Sequence, residues 1–127
     1  MKEKDITREV LEIARAELGD SAAIEIKLCK GTSLSFSALA EHQEKALWHA
    51  KHSVLVFKIP DMGYQNPFDA FLLKETLGMV VVVFYEPRKL CEAYFIDIDA
   101  WIAERETCGR KSLTLERARE IGMRYLL

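Results

Sequence analysis

The chain reads as an α/β protein, a mixed central sheet with helices packed on both sides, and three observations predict this. Met79-Val80-Val81-Val82-Val83-Phe84 contains no polar residue, which fits a central strand covered on both faces. Residues 22–28 alternate, with Ile24, Ile26 and Leu28 pointing one way and Glu25 and Lys27 the other, the pattern of a strand. Ile6, Val10, Ile13 and Ala14 recur at helical spacing, as do Leu39, Ala46, Leu47 and Ala50 farther on.

The elements follow in order. Asp5 can cap a helix over about 6–18, and Gly19 supplies its stop. The strand over 22–28 leads into a loop, 31–37, where Ser35 or Ser37 is available to cap a second helix ending near Lys51. Gln43 falls on the apolar stripe of that helix, and an inward amide needs a partner. Residues 54–59 predict a strand, Pro60-Asp61-Met62-Gly63 with Asn66-Pro67 a turn, and 68–73 another strand. After the apolar run, 94–98 predicts a further strand, with Asp97 or Asp99 placed to cap a helix containing Trp101 and Ile102. A last amphipathic helix is expected from about Leu115 to the C-terminus. No repeat or linker interrupts the order, so residues 1–127 are expected to form a single domain.

Composition narrows the classes of function. Half the residues are hydrophobic and 30% are charged, as in a soluble globular protein, and no stretch is long and apolar enough to span a bilayer. The charged start, Met1-Lys2-Glu3-Lys4-Asp5, has no signal-like apolar core, so a cytoplasmic location is expected. Cys29, Cys91 and Cys108 are far apart and form no CxxC pair, which suggests ordinary thiols. His42, His49 and His52 share one segment, but no Cys or acid accompanies them at ligand spacing, which favours solvated or packed roles. The net charge of −2 brings no general attraction to nucleic acid, so DNA binding would depend on local cations. Candidates are Lys27, Lys30, Arg110, Lys111, Arg117, Arg119 and Arg124, residue types that equally decorate a solvated helix.

Three features bear on chemistry. Glu25-Ile26-Lys27 puts a carboxylate and an ammonium on one strand face, although alternating Glu and Lys also mark the wet face of an edge strand. In Asn66-Pro67-Phe68-Asp69-Ala70-Phe71 an aspartate sits among aromatic residues and calls for a cation or a strong donor, or else serves as a structural cap. Gln43, beside His42, is the third. Two converging carboxylates repel, and a hard divalent cation with oxygen ligands removes that penalty, which suits Mg²⁺ or Mn²⁺. A lysine on the same strand face then balances charge at a scissile phosphate and orients the attacking water.

Together these segments resemble the PD-(D/E)XK nuclease superfamily, and more narrowly the RecU-type Holliday junction resolvases. Ile24-Glu25-Ile26-Lys27, Lys30-Gly31-Thr32-Ser33-Leu34-Ser35-Phe36 and His42-Gln43 follow that family's ExK strand, polar loop and HQ helix. Val80 to Phe84, Tyr94-Phe95-Ile96-Asp97 and Gly109-Arg110-Lys111-Ser112-Leu113 match its apolar strand, next strand and GRKS-like basic segment. The similarity spans roughly 22–122 with one rearrangement. The family's aspartate strand precedes the ExK strand, whereas here Pro67-Phe68-Asp69 follows the second helix.

The resemblance implies a restriction-endonuclease-like fold and a Mg²⁺-dependent endonuclease that cuts branched DNA and leaves a 5′-phosphate, with Mn²⁺ able to substitute. It implies Glu25 and Asp69 as metal ligands on neighbouring strands, the Ile26 carbonyl as a third, Lys27 as the catalytic lysine, and Gln43 as the residue orienting the site. Glu9 and Asp61 are additional candidate acids, and Lys30, Arg110 and Lys111 candidate DNA contacts. A resolvase cuts two symmetry-related strands, so a homodimer is expected, and so compact a form would suit a virus or mobile element. One rival keeps the fold and changes the substrate, a nuclease for duplex, nicked or flap DNA; the second belongs to another class, an inactive relative that binds nucleic acid or protein as a structural module.

Overall fold

A computed structural model of the protein describes residues 3–60, 65–89 and 91–127. In chain order its elements are α1 (Glu3–Glu17), β1 (Ala22–Lys30), β2 (Ser33–Ser35), a single 3-10 turn (Phe36–Ala38), α2 (Glu41–His52), β3 (Val54–Lys58) and β4 (Ala70–Lys74). There follow β5 (Leu77–Tyr85), β6 (Glu92–Asp97), α3 (Ile98–Thr107), β7 (Ser112–Thr114), α4 (Leu115–Ile121) and β8 (Met123–Leu126). The expected mixed sheet is present in the order β1-β5-β6-β8, with β1 parallel to β5 and the other pairs antiparallel. Parallel neighbours need a long crossover, and the segment containing α2 provides it.

The strand β5 is buried from Gly78 to Phe84, as its unbroken apolar run predicts, because a layer lies on each side of it. On one side Ile6, Val10 and Ala14 of α1 pack with Met79, Val81, Val83 and Phe95. On the other, Val80, Val82, Tyr94 and Ile96 pack with Leu47 of α2, with Ile98 and Trp101 of α3, and with Leu34 and Leu113 of the β2–β7 ribbon. A Cβ at Gly78 would overlap the Leu47 carbonyl, so glycine lets α2 lie directly against β5. Asp97 caps α3, its side chain accepting from the Asp99 amide at 3.1 Å. Among the described residues, no helix is long and apolar enough to cross a membrane.

Several expectations shift. The helix α1 begins at Glu3, so Asp5 lies within it and not at its cap. The last helix stops at Ile121, and after Gly122 the chain turns into β8, which joins the sheet beside β6. The short ribbon β2–β7 was not anticipated; it forms because Leu34 and Leu113 pair across it and both enter the core. The strand β4 begins at Ala70, which leaves Asp69 just outside it. Finally, β3 and β4 form a separate two-stranded hairpin and not part of the central sheet.

Candidate active site

Alternation along β1 decides which side chains share a face. Ala23 and Cys29 belong to the core beneath α2 and the ribbon, so Glu25 and Lys27 between them face that same side. Ile24, Ile26 and Leu28 face α1. The Lys27 ammonium lies 3.3 Å from Glu25 Oε1, with the two side chains 14% and 30% exposed. Gln43 approaches from α2 and donates from Nε2 to the same Oε1 at 3.2 Å.

Gln43 is itself oriented from behind, since its Oε1 accepts the Ala40 N–H at 3.0 Å. Ala40 is the residue before α2 and Gln43 the third residue of the helix, so the amide makes half of a capping box. The partner demanded by an inward amide is therefore double: a helix-start amide on one side and the Glu25 carboxylate on the other. A half-buried carboxylate that holds an ammonium and an amide, with one edge open to solvent, can accept a further cation or hydrogen-bond donor.

The remaining candidates are placed as follows. The Ile26 carbonyl lies on the β1 backbone between Glu25 and Lys27. Asp69 is exposed at the end of the hairpin away from α2, its carbonyl accepting the Ile59 N–H at 2.8 Å. The expected juxtaposition on neighbouring strands is not found, because β4 pairs with β3 while β1 pairs with β5. Glu9 is exposed on α1, a helix that packs on the sheet face opposite to Glu25. Asp61 lies outside the described residues. Among the described residues, no group of three or more His, Cys, Asp or Glu side chains stands close enough to hold a metal ion. Hard divalent cations need several oxygen donors, so the donor set gathered around Glu25 is incomplete in this arrangement.

The cations divide into two groups. Arg117 is engaged by Glu104 and Glu120, Arg124 by Glu92, and Arg119 by Tyr94 and Glu92. Lys30, Arg110 and Lys111 are exposed, and none of them has a salt-bridge partner among the described residues. Lys30 ends β1, while Arg110 lines a shallow cavity with Thr32, Ser33 and Thr114 of the ribbon. Cys29 donates to the Ser33 carbonyl at 3.3 Å, and burial pushes its thiol above its ordinary value.

One polar cluster was not foreseen. Lys51 bridges Asp97 and Asp99 at 2.7 and 2.6 Å, and His52 reaches Asp99 at 2.7 Å, locking the end of α2 to the start of α3. Lys51 lies in the last turn of α2, where a cation complements the helix dipole, and this was the available signal.

Compared with models of protein families, with curated proteins and with solved structures, the chain matches none.

Proposed function

We propose that this chain is a DNA phosphodiesterase with a restriction-endonuclease-like fold, acting on branched DNA through Glu25, Lys27 and Gln43. One observation supports the reading above the others: three residues singled out by their types and spacing meet at one carboxylate oxygen, Lys27 at 3.3 Å and Gln43 at 3.2 Å.

In this reading Lys27 meets a non-bridging oxygen of the scissile phosphate, where a shielded ammonium offsets charge more strongly than a solvated one. Glu25 fixes that ammonium, and Gln43 fixes Glu25. A divalent cation, Mg²⁺ with Mn²⁺ as a substitute, supplies a Lewis acid to such hydrolysis when bound. Glu25 and the Ile26 carbonyl are the donors proposed for it, with Asp69 as the second carboxylate; the present arrangement lacks that second carboxylate at Glu25. The exposed Lys30, Arg110 and Lys111 are the proposed phosphate contacts flanking the site. Two such chains related by a two-fold axis would address the two symmetric strands of a junction.

The test is incubation of the protein with a labelled four-way junction, a linear duplex and a single strand, with and without Mg²⁺. Cleavage of the junction with Mg²⁺ is expected. Glu25→Gln and Asp69→Asn should each lower it by at least about 10²-fold while junction binding persists. Unchanged cleavage in both variants refutes the site, and preference for linear duplex moves the reading to a general duplex nuclease. Absence of both cleavage and Mg²⁺ binding, the latter by calorimetry, leaves a binding module.

A further inference from the structure

We propose that β1 pairs along its open edge, antiparallel, with β1 of a second copy of this chain, on a two-fold axis through Ile26. This pairing is independent of the nuclease reading.

The ladder with β5 fixes which backbone groups of β1 are free. At its foot the Leu77 amide donates to the Ser21 carbonyl at 3.2 Å, and at its head the Gly31 amide donates to the Tyr85 carbonyl at 3.1 Å. Between these points the register is unbroken, from Ala22 beside Leu77 to Lys30 beside Tyr85. Strand bonding to one neighbour uses alternate residues, so Ala23, Glu25, Lys27 and Cys29 bond β5. Ala22, Ile24, Ile26, Leu28 and Lys30 therefore turn their amides and carbonyls outward. The strand β1 ends the sheet, and among the described residues none bonds that outer set. Nine residues with no proline, no bulge and no covering strand make a long template for another strand.

Charge then selects the register. In an antiparallel pair of identical edges, outward residues must oppose outward residues. An axis on Glu25 or on Lys27 sets like charges against each other across it, and axes nearer either end leave part of the strand unpaired. An axis on Ile26 engages all nine residues. It opposes Ile26 to its own copy, Ile24 to Leu28, Ala22 to Lys30, and Glu25 to the partner's Lys27.

Backbone-bonded pairs alternate with unbonded ones in such a ladder, and the unbonded pairs are closer, about 4.5 Å between Cα atoms. Glu25 and the partner's Lys27 form one of these closer pairs, and opposed side chains share a face. The partner's ammonium thus reaches Glu25 on the face that bears Lys27 and Gln43, where the carboxylate is still 30% exposed. On the opposite face Ile24, Ile26 and Leu28, each half-buried beside α1, cover one another across the axis.

The same charges favour a second copy over an unrelated strand. An apolar strand on this edge would exclude water from Glu25 and Lys27 and bring no opposite charge, a desolvation cost without return. A second β1 brings one for each, so specificity is built into the edge.

The test is made without metal or DNA. Sedimentation equilibrium of the native chain through the micromolar range should show a reversible monomer–dimer equilibrium, and a monomer throughout overturns the proposal. Register is read with cysteines in a background of Cys29→Ala, Cys91→Ser and Cys108→Ser. A mixture of Ile24→Cys and Leu28→Cys chains should form disulfide-linked dimers under mild oxidation at least about tenfold faster than either variant alone, because only the unlike positions face each other within reach of a disulfide. Equal rates overturn the proposal. Should that background fail to fold, amide exchange of the native protein decides. The amides of Ile24, Ile26 and Leu28 should exchange more slowly as protein concentration rises, while those of Glu25 and Lys27, already bonded to β5, should not change. A dimer in which the outward amides still exchange rapidly overturns the pairing.

Discussion

Glu104 is 5% exposed on α3, an unfavourable place for a carboxylate, and Arg117 of α4 resolves it with a two-pronged contact. Nε meets Oε2 at 2.6 Å and Nη2 meets Oε1 at 2.8 Å, a geometry that a lysine could not reproduce. The Arg117 contact, working against burial, holds the Glu104 carboxyl below its ordinary 4.5. A carboxyl depressed in the folded state stabilises the protein above its unfolded value, and that contribution is lost as pH falls through the folded value. Thermal unfolding followed by circular dichroism should show Tm falling on acidification below about 4.5. In Glu104→Gln the baseline should be lower and the fall shallower; an equal fall would assign the acid sensitivity to other carboxyls. At this scale much of the candidate site was legible. Glu25 and Lys27 stood out as polar residues in a strand, and Gln43 as an amide on an apolar stripe, whereas its hold on the Ala40 amide becomes visible only once the start of α2 is known.

Among the elements, α2 does most to position the site, since it brings Gln43 over β1, and its seat depends on a missing side chain. A methyl at Gly78 would strike the Leu47 carbonyl, which is backbone and cannot swing aside. Gly78→Ala should therefore destabilise the fold by about 1–3 kcal/mol, as over-packing of a filled interior does. Denaturant unfolding measures this, and an unchanged midpoint would mean that α2 shifts at no cost. Long periodic elements were legible for local reasons: β5 has no polar residue and β1 alternates cleanly. The elements missed were short. The strand β8 has four residues and directly follows α4 across Gly122, and β2 and β7 have three each, too few to establish a period. Asp69 falls one residue outside β4 because the pairing of β3 with β4 ends at Lys58 and Ala70.

For the molecule as a whole, a net charge of −2 hides an uneven distribution. Arg117, Arg119 and Arg124 are spent on acids of the same chain, while Lys30, Arg110 and Lys111 are exposed and have no salt-bridge partner among the described residues. If DNA is the partner, neutralising the second group should weaken binding about equally for all DNA shapes. Each lost phosphate contact lowers the slope of log affinity against log salt by about 0.9, so the triple alanine variant should lose about 2–3 units. Fluorescence anisotropy over a salt series reads this directly, and an unchanged slope would exclude these residues from the interface. Alone, the sequence determined the α/β class, the buried central strand and the polar residues set within β1 and on the apolar stripe of α2, because periodicity and polarity are local properties. Only the tertiary structure decided which strand neighbours which, and so left Asp69 on a hairpin apart from Glu25 and bonded Gln43 to it. Pairing between distant strands depends on packing and on the course of the chain between them, and no local pattern encodes either.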